Sequence, residues 1–555
     1  MEHIVEIPKT QIVMAFIAAC IETTARALGL STMILTMSMA FAGCTDNDTT
    51  SDTPQPGPEM MTASGILSSI KGVTIIKDTL DADQDSVTYF YIEQPIDHQD
   101  ASAGTFTQYG VMHYKGPDHP TVLHTQGYSI KARKTFRQQH LAKNLDANFI
   151  EVEHRYYRNS LVNYNEETDY YNPEYWKYNT AAQSAADLHT IVTALKATGC
   201  FKNKWVSTGG SKGGILTSLY AYYYPNDVDL YVPFCAPFCT GLESRSVGEF
   251  LTWKCGEGTE AYKRLWEAYQ RIADDSEEEL RDQLTALYKA DHPDNASVQG
   301  YGVKTTICFI LDHFMRNLFH KFANEPLDTW SEVIPTPAYS AEVYYGFAML
   351  GKTGYDKKLQ NLRSLMKLED IEYEESFEEE EYEMYDDWEE DEEGYYDEAG
   401  SGVAGTRAAK RLSFEEFLRE IYSVQASMEL GQFLYDYSKL PDDFPQDHIR
   451  WMNKWRSNVR YNNTYGVTYD GGKLMNDFLA FVKNNRNKDK CKMLFIYGGN
   501  DPWTGAAIPD PDPDDPYVKK HVVPDGIHSI YINSKEHYTA AERDWIMNTV
   551  REMLK

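Results

Sequence analysis

Residues 205–224, WVSTGGSKGGILTSLYAYYY, constrain the fold of this chain more than any other segment. The run from Trp205 to Thr208 is typical of a buried strand, and the apolar residues after Gly214 indicate a helix. Only the six residues GGSKGG, 209–214, separate the two. A strand that passes so abruptly into a helix indicates the α/β class, in which helices pack on a parallel sheet.

Other segments repeat this alternation of strand and helix. Strand-like sequence begins at about Ile66, and an amphipathic helix is predicted from Ala181 to Thr198. A final helix is predicted from Ala540 to Leu554. The clearest strands are predicted at residues 87–92, 108–114, 120–125, 147–152 and 491–497. The spacing predicts a doubly wound, mostly parallel sheet.

The glycine-rich turn itself has the pattern G-x-S-x-G around Ser211. Small residues two positions to either side allow a turn so sharp that the serine hydroxyl projects above the sheet edge as a nucleophile. The alternative is a glycine turn that cradles phosphate, but the patterns G-x-x-x-x-G-K-[ST] and G-x-G-x-x-G are absent. The segment therefore predicts a catalytic serine.

A nucleophilic serine needs a histidine base, and the histidine needs an acid that orients it. In the α/β-hydrolase fold the three follow in the order serine, acid, histidine. Asp501 lies in the loop Gly498-Gly499-Asn500-Asp501 after the strand that ends at Tyr497, and His528 follows a short strand and a glycine turn. Alone, each residue is ambiguous, but their order predicts the catalytic triad Ser211, Asp501 and His528. The rival base is His521 and the weaker rival acid is Asp525.

Two backbone amides are predicted to stabilise the oxyanion. The first is the N–H of Lys212, at the start of the helix after the nucleophile. The second comes from the loop after an early strand, where Gly127-Tyr128 stands, and we assign it to Tyr128. The side chain of Lys212 has no role that follows from the sequence.

Four segments in order resemble a known group of enzymes. Glu153-His154-Arg155-Tyr156-Tyr157, the GGSKGG turn, Asp501-Pro502-Trp503 and Gly526-Ile527-His528 are similar to exopeptidases related to lysosomal Pro-X carboxypeptidase and dipeptidyl peptidase II. The lysine after the serine resembles the bacterial secreted tripeptidyl aminopeptidases of that lineage. The resemblance covers roughly residues 85–240 and 485–535.

The resemblance implies a serine exopeptidase that needs no metal or cofactor and takes peptides as substrates. Release of di- or tripeptides from N-termini is the preferred expectation, with activity often near proline. A C-terminal Pro-X carboxypeptidase, an esterase or acylase, and an inactive peptide-binding lipoprotein remain open alternatives.

The chain is predicted to divide into five parts. Residues 1–43 form a signal peptide region and residues 44–62 a flexible tether. The hydrolase domain occupies 63–239 and 485–555, and a helical cap occupies 240–484 between them. Within the cap, 369–402 is an acidic segment of the kind that is usually disordered.

The N-terminal region predicts export. Residues 27–43 are apolar and uncharged, and they end in Phe41-Ala42-Gly43-Cys44, which resembles the lipidation site of bacterial lipoproteins. We expect Cys44 to carry a lipid anchor, the chain's only membrane contact. The expected location is the outer membrane, on its periplasmic face or the cell surface. The six cysteines of the body permit up to three disulfides or, equally, buried thiols.

The net charge of −31 excludes one class of partner. Nineteen acidic residues and no lysine or arginine lie between Glu369 and Glu398, and the rest of the chain is moderately acidic. Such a surface repels phosphates, so we expect no binding to nucleic acid.

Overall fold

The computed structural model describes residues 62–349, 421–435 and 466–555. Shorter gaps within these ranges lie at 82, 131–138, 164–171, 242, 245–258, 275, 294–295, 318–333, 423, 432–433, 486–488, 529–531 and 534–537. The predicted signal region, Cys44, the tether before residue 62 and the acidic segment lie outside the described residues.

The strands lie, in chain order, at β1 Val73–Leu80, β2 Ser86–Pro95, β3 Thr105–Tyr114, β4 Thr121–Thr125, β5 Asn148–Val152, β6 Trp205–Gly210, β7 Leu230–Phe234, β8 Glu243–Ser244, β9 Leu434–Tyr435, β10 Met493–Gly498 and β11 Val518–Val523. The helices lie at α1 Ala63–Ser68, α2 His140–Asn144, α3 Pro173–Trp176, α4 Ala181–Ala197, α5 Lys212–Tyr223, α6 Glu260–Ala273, α7 Glu278–Asp291, α8 Ala296–Gln299, α9 Val303–Asn317, α10 Ala341–Ala348, α11 Lys473–Asn484 and α12 Ala540–Met553. Short 3₁₀ turns lie at Ala101–Ala103 and Pro502–Ala506, and a π-helical turn at Ala426–Leu430.

Nine strands form one sheet in the order β1-β2-β3-β5-β4-β6-β7-β10-β11. The first three strands and the β3–β5 pair are antiparallel. All pairs from β5 to β11 are parallel. The central strands β4, β6, β7 and β10 are buried along their whole length, as parallel strands covered on both faces require. The predicted α/β-hydrolase fold is confirmed.

Two hydrophobic clusters cover the two faces of this sheet. Side chains of α1, α4, α5 and α11 pack on one face, and those of α2 and α12 pack on the other. The parallel strands therefore run through the middle layer of three. Their carboxyl ends meet at one edge, where an open α/β sheet binds its ligand.

The prediction of strand from about Ile66 is wrong for residues 66–68, which belong to helix α1, Ala63–Ser68. Thr62 caps this helix, because its hydroxyl accepts a hydrogen bond from the amide of Gly65 at 3.1 Å. Ala63, Ile66 and Leu67 then lie on one buried face at helical spacing. Strand β1 begins only at Val73, after the glycine turn at Gly72.

The described part of residues 240–484 is mainly helical, with α6 to α11 and the two-residue strands β8 and β9. The domain boundaries themselves stay a prediction. Cys200, Cys235, Cys239 and Cys491 are buried thiols. Among the helices of the described ranges, none combines the length and apolar character needed to cross a membrane.

Candidate active site

Ser211 occupies the sharp turn between β6 and α5. Its φ of 50° and ψ of −119° lie in a region that non-glycine residues rarely adopt. The amide of Ser211 donates to the carbonyl of Phe234 on the neighbouring β7 at 2.9 Å. A strained residue held by an adjacent strand is the arrangement of a nucleophile elbow.

The glycines of the turn are required by close backbone contacts. A β-carbon at Gly209 would lie 2.5 Å from the carbonyl oxygen of Gly213, and one at Gly214 would lie 2.6 Å from that of Phe234. One at Gly213 would lie 2.5 Å from the carbonyl oxygen of Thr125. Because backbone atoms cannot yield as a flexible side chain can, these positions exclude any larger residue.

Asp501 and His528 form a hydrogen-bonded pair at the same sheet edge. His528 Nδ1 lies 2.8 Å from Asp501 Oδ2, and Asp501 Oδ1 accepts from the amide of Trp503 at 3.0 Å. The Asp501 side chain is fully buried, whereas 19% of the His528 side chain is exposed. A buried carboxylate that binds Nδ1 orients the imidazole so that its other nitrogen serves as the base.

Backbone contacts fix the two loops that carry this pair. The amide of Gly499 donates to Val523 at 2.7 Å, and the amide of Asn500 donates to the carbonyl of Gly526 at 2.8 Å. The end of β10 is thereby joined to the turn after β11. The Asp501 and His528 side chains project from segments that are already in register.

Cys235 is a neighbour of the pair that the sequence did not single out for the site. It follows β7 directly, with a φ of 49°. Its sulfur lies within 4.8 Å of donor atoms of both Asp501 and His528. Since Ser211 binds the preceding residue, Phe234, the end of β7 connects the serine with the acid–histidine pair. The one sequence signal for this proximity is that Cys235 lies, in chain order, between the strand of the nucleophile and the strand of the acid.

Among the residues that the structure describes, two groups of side chains have donor atoms close enough to hold a metal. In the group of Cys235, Asp501 and His528, both oxygens of Asp501 already accept hydrogen bonds, which favours acid–base chemistry over ligation. In the second group, His113 Nε2 lies 2.8 Å from Asp81 and 3.7 Å from Asp85. Lys115 lies 3.5 Å from Asp85 and supplies a positive charge there.

The rival acid and base differ from Asp501 and His528 in their surroundings. His521 lies within β11, where it is paired with Glu542 and stacked on Trp545 at 4.1 Å between ring centres. Asp525 is exposed, and its carbonyl accepts from Asn500 Nδ2 at 3.4 Å. The carboxylate hydrogen-bonded to His528 is that of Asp501.

The loop with Gly127 and Tyr128 packs directly on the turn of Ser211. A β-carbon at Gly127 would lie 2.7 Å from the amide nitrogen of Gly213 and 3.0 Å from Lys212 Cβ. The carbonyl of Tyr128 accepts from the amide of His154 at 3.2 Å. The loop predicted to give the second oxyanion donor therefore adjoins the first, and the assignment of Lys212 and Tyr128 amides stays a prediction.

The segment Glu153 to Tyr157 contacts this loop through hydrogen bonds. Glu153 is buried and accepts from the amides of Ile130 at 3.0 Å and Asn159 at 2.8 Å, and from Ser160 Oγ at 2.8 Å. Burial raises the pKa of Glu153 to about 7, against the effect of these donors.

His154, the next residue, is buried as well. Burial lowers the pKa of His154, whose ring nitrogens lie 2.7 Å from Arg155 O and 3.1 Å from Ser184 Oγ.

Arg155 of the same segment is fully buried and binds Asp187 through two nitrogens, at 2.8 and 2.6 Å. Its guanidinium also donates to the carbonyls of Ile96 and Tyr178. Such a fork-to-carboxylate pair is directional as well as strong. It joins the loop after β5 to helix α4, so this part of the quoted segment supports the site without entering it.

Residues 57–287 match the family model of PS-10 peptidase S37. The family resemblance predicted from the sequence is thereby confirmed for this part of the chain. The prolyl tri/tetrapeptidyl aminopeptidase of Streptomyces mobaraensis is 31% identical over 144 residues. That alignment covers 26% of this chain and 28% of the relative, so the match spans about a quarter of each protein.

Solved structures with similarity to this chain include an α/β-fold hydrolase from Bacillus anthracis, which is 11% identical with a TM-score of 0.28. The alignment covers 83% of this chain and 99% of that hydrolase. The proline iminopeptidase of Mycobacterium smegmatis is 12% identical with a TM-score of 0.30, over 84% of this chain and 98% of the other.

Proposed function

We propose that this chain is a serine exopeptidase that hydrolyses short peptides through Ser211, His528 and Asp501. The observation that carries the proposal is the 2.8 Å contact between His528 Nδ1 and Asp501 Oδ2, at the sheet edge that also carries the strained turn of Ser211. The three residues follow β6, β10 and β11, whose carboxyl ends share one sheet edge. The match of residues 57–287 to a peptidase family supports peptides as the substrate class.

In the proposed reaction, Ser211 Oγ attacks the scissile carbonyl while His528 removes its proton. The carbonyl oxygen becomes an oxyanion that the amides of Lys212 and Tyr128 stabilise. His528 then returns the proton to the leaving amine, and an acyl-enzyme remains on Ser211. Water, deprotonated by His528, cleaves this ester and restores the serine. Asp501 stabilises the imidazolium in both half-reactions, and neither step needs a metal or a cofactor.

Release of di- or tripeptides from N-termini, with a preference near proline, is the proposed specificity. The similarity to the Streptomyces mobaraensis relative, a prolyl tri/tetrapeptidyl aminopeptidase, supports it. Cleavage from the C-terminus or of esters alone would indicate the other open candidates.

The location is proposed from the leader alone. The apolar run 27–43 followed by Cys44 supports export and lipidation, with the enzyme held at the outer membrane. Radiolabelled palmitate incorporated by the wild type but not by Cys44→Ser, together with membrane fractionation, tests this proposal.

The activity is tested with the purified full chain and its Ser211→Ala variant on a mixed library of unblocked peptides. We expect mass spectrometry to show di- or tripeptides released from N-termini by the wild type alone. Single residues lost from C-termini would assign carboxypeptidase activity instead. No cleavage by either folded protein would contradict the peptidase proposal and direct the search to esters and to peptide binding.

A further inference from the structure

The side chain of Lys212 is the charged group nearest to the nucleophile along the chain, and it points into the protein. Only 1% of the residue is exposed. Its Nζ lies 5.1 Å from the ring centre of Tyr128, 4.8 Å from that of Tyr157 and 5.6 Å from that of Tyr422. Three tyrosine faces around one ammonium form a cation–π cage.

The cage is a single packed unit. The rings of Tyr128 and Tyr157 meet edge to face at 5.8 Å, and those of Tyr128 and Tyr422 lie 6.0 Å apart. Lys212 Nζ also donates to the hydroxyl of Tyr157 at 3.3 Å. The three tyrosines come from the loop after β4, the loop after β5 and the segment before the π-helical turn at 426–430.

Burying the Lys212 ammonium costs free energy, because the charge loses its hydration by water. Burial lowers the pKa of Lys212 well below its ordinary range, and the carboxylate of Glu429 opposes that shift. Glu429 is itself fixed, since it accepts from the amide of Ala181 at the start of α4 at 2.5 Å. An aliphatic side chain would fill the same space without this cost, so packing alone does not explain a lysine.

We propose that the Lys212 side chain is a positioning residue that holds the two halves of the oxyanion site in register. Its own backbone amide begins α5 and is the first donor, while its ammonium binds the ring of Tyr128, the residue of the second donor. The contact of Gly127 with Lys212 Cβ joins the same two segments. One residue thus fixes both donors relative to Ser211. This inference rests on the proposed function.

The test compares Lys212→Met with the wild-type full chain. Methionine is unbranched and apolar like the stem of lysine, is one atom shorter, and lacks the ammonium. We expect labelling of Ser211 by a serine-reactive phosphonate to slow by at least about tenfold, because loosened oxyanion donors stabilise the transition state less. A change in the thermal midpoint does not decide the test, because labelling is measured on the folded protein. Lys212→Arg, which keeps a cation for the rings, should restore part of the rate.

Lys196→Met is the matched control. Lys196 Nζ also lies over an aromatic ring, 5.4 Å from that of Trp205, but at the opposite end of β6 from Ser211. Its loss should leave the labelling rate unchanged. A purely structural role of Lys212 would instead lower the thermal midpoint and leave labelling of the folded variant at the wild-type rate.

Unchanged labelling of folded Lys212→Met would overturn the inference while leaving the proposed function intact. Absent labelling of the wild type would overturn the proposed function, and the inference with it. If Lys212→Met does not fold, Lys212→Gln decides the question, since it also removes the ammonium that the three rings surround and keeps a polar end near the hydroxyl of Tyr157. Slower labelling of that variant supports the inference, and an unchanged rate overturns it.

Discussion

Gly498 lies so close to Gly526 that a β-carbon on Gly498 would stand 2.4 Å from the carbonyl oxygen of Gly526. The strand before Asp501 and the turn before His528 are therefore pressed together, backbone against backbone. The 2.8 Å contact between Asp501 and His528 depends on this approach, because each residue follows its glycine by only two or three positions.

We expect Gly498→Ala to separate these two loops. The added methyl group forces the backbone apart, and such overpacking costs about 1–3 kcal/mol. Both the thermal midpoint and the rate of phosphonate labelling at Ser211 should fall. Gly302→Ala is the control, because a β-carbon at Gly302 has no atom within 4 Å and should change neither measurement. A fully active, equally stable Gly498→Ala would contradict the importance of the contact.

Asp501→Asn tests the acid of the proposed triad. The amide can donate to His528 Nδ1 and favours the wrong tautomer, so we expect kcat to fall by about 10⁴-fold with little change in thermal midpoint. Asp525→Asn, at the exposed rival position, should retain wild-type kcat. The measurement is steady-state hydrolysis of a peptide that the wild type cleaves. A comparable loss in Asp525→Asn alone would assign the acid to that residue.

The sequence predicted the sheet and the order of the site residues because both depend on local patterns. Apolar runs marked the strands, and the glycines around Ser211 marked a turn that only small residues permit. The sequence does not reveal the helix Ala63–Ser68, because Ile66 lies shortly before a β-branched strand and one threonine at position 62 is a weak signal for a helix cap.

The remaining features of the site depend on distant parts of the chain. The Lys212 cage includes Tyr422, about two hundred positions away in sequence, and no local pattern predicts that contact. Cys235 lies near Asp501 and His528 because β7 stands between β6 and β10 in the sheet, an order that the sequence alone does not give. The fold could thus be read from the sequence, whereas the packing around the site required the structure.

Arg155→Met tests the buried ion pair that supports the loop after β5. The substitution leaves Asp187 buried without its bidentate partner, although His98 Nε2 still lies 2.7 Å away. Breaking a buried pair from one side costs about 3–5 kcal/mol. Urea unfolding should show a loss of this size. Lys204→Met breaks an exposed pair with Asp229 and should cost less than about 1 kcal/mol. Similar losses in both variants would refute the distinction.

Glu153→Gln tests the pH dependence that the buried carboxyl imposes on stability. Burial raises the pKa of Glu153 from an ordinary value of 4.5 to about 7, so the folded chain holds this proton more tightly than the unfolded chain. The contribution of Glu153 to stability is therefore largest below pH 4.5 and is lost as the pH rises towards about 7. Glutamine does not titrate.

The free energy of unfolding of Glu153→Gln, minus that of the wild type, should accordingly rise between pH 4.5 and about 7 and then level off. Chemical denaturation across this range measures the difference, and other titrating groups cancel because both proteins share them. Asp525→Asn, an exposed carboxyl-to-amide substitution, is the control for effects that do not depend on burial. A difference for Glu153→Gln that stays flat, or falls with pH, would show that the hydrogen bonds from Ile130, Asn159 and Ser160 outweigh the cost of burial.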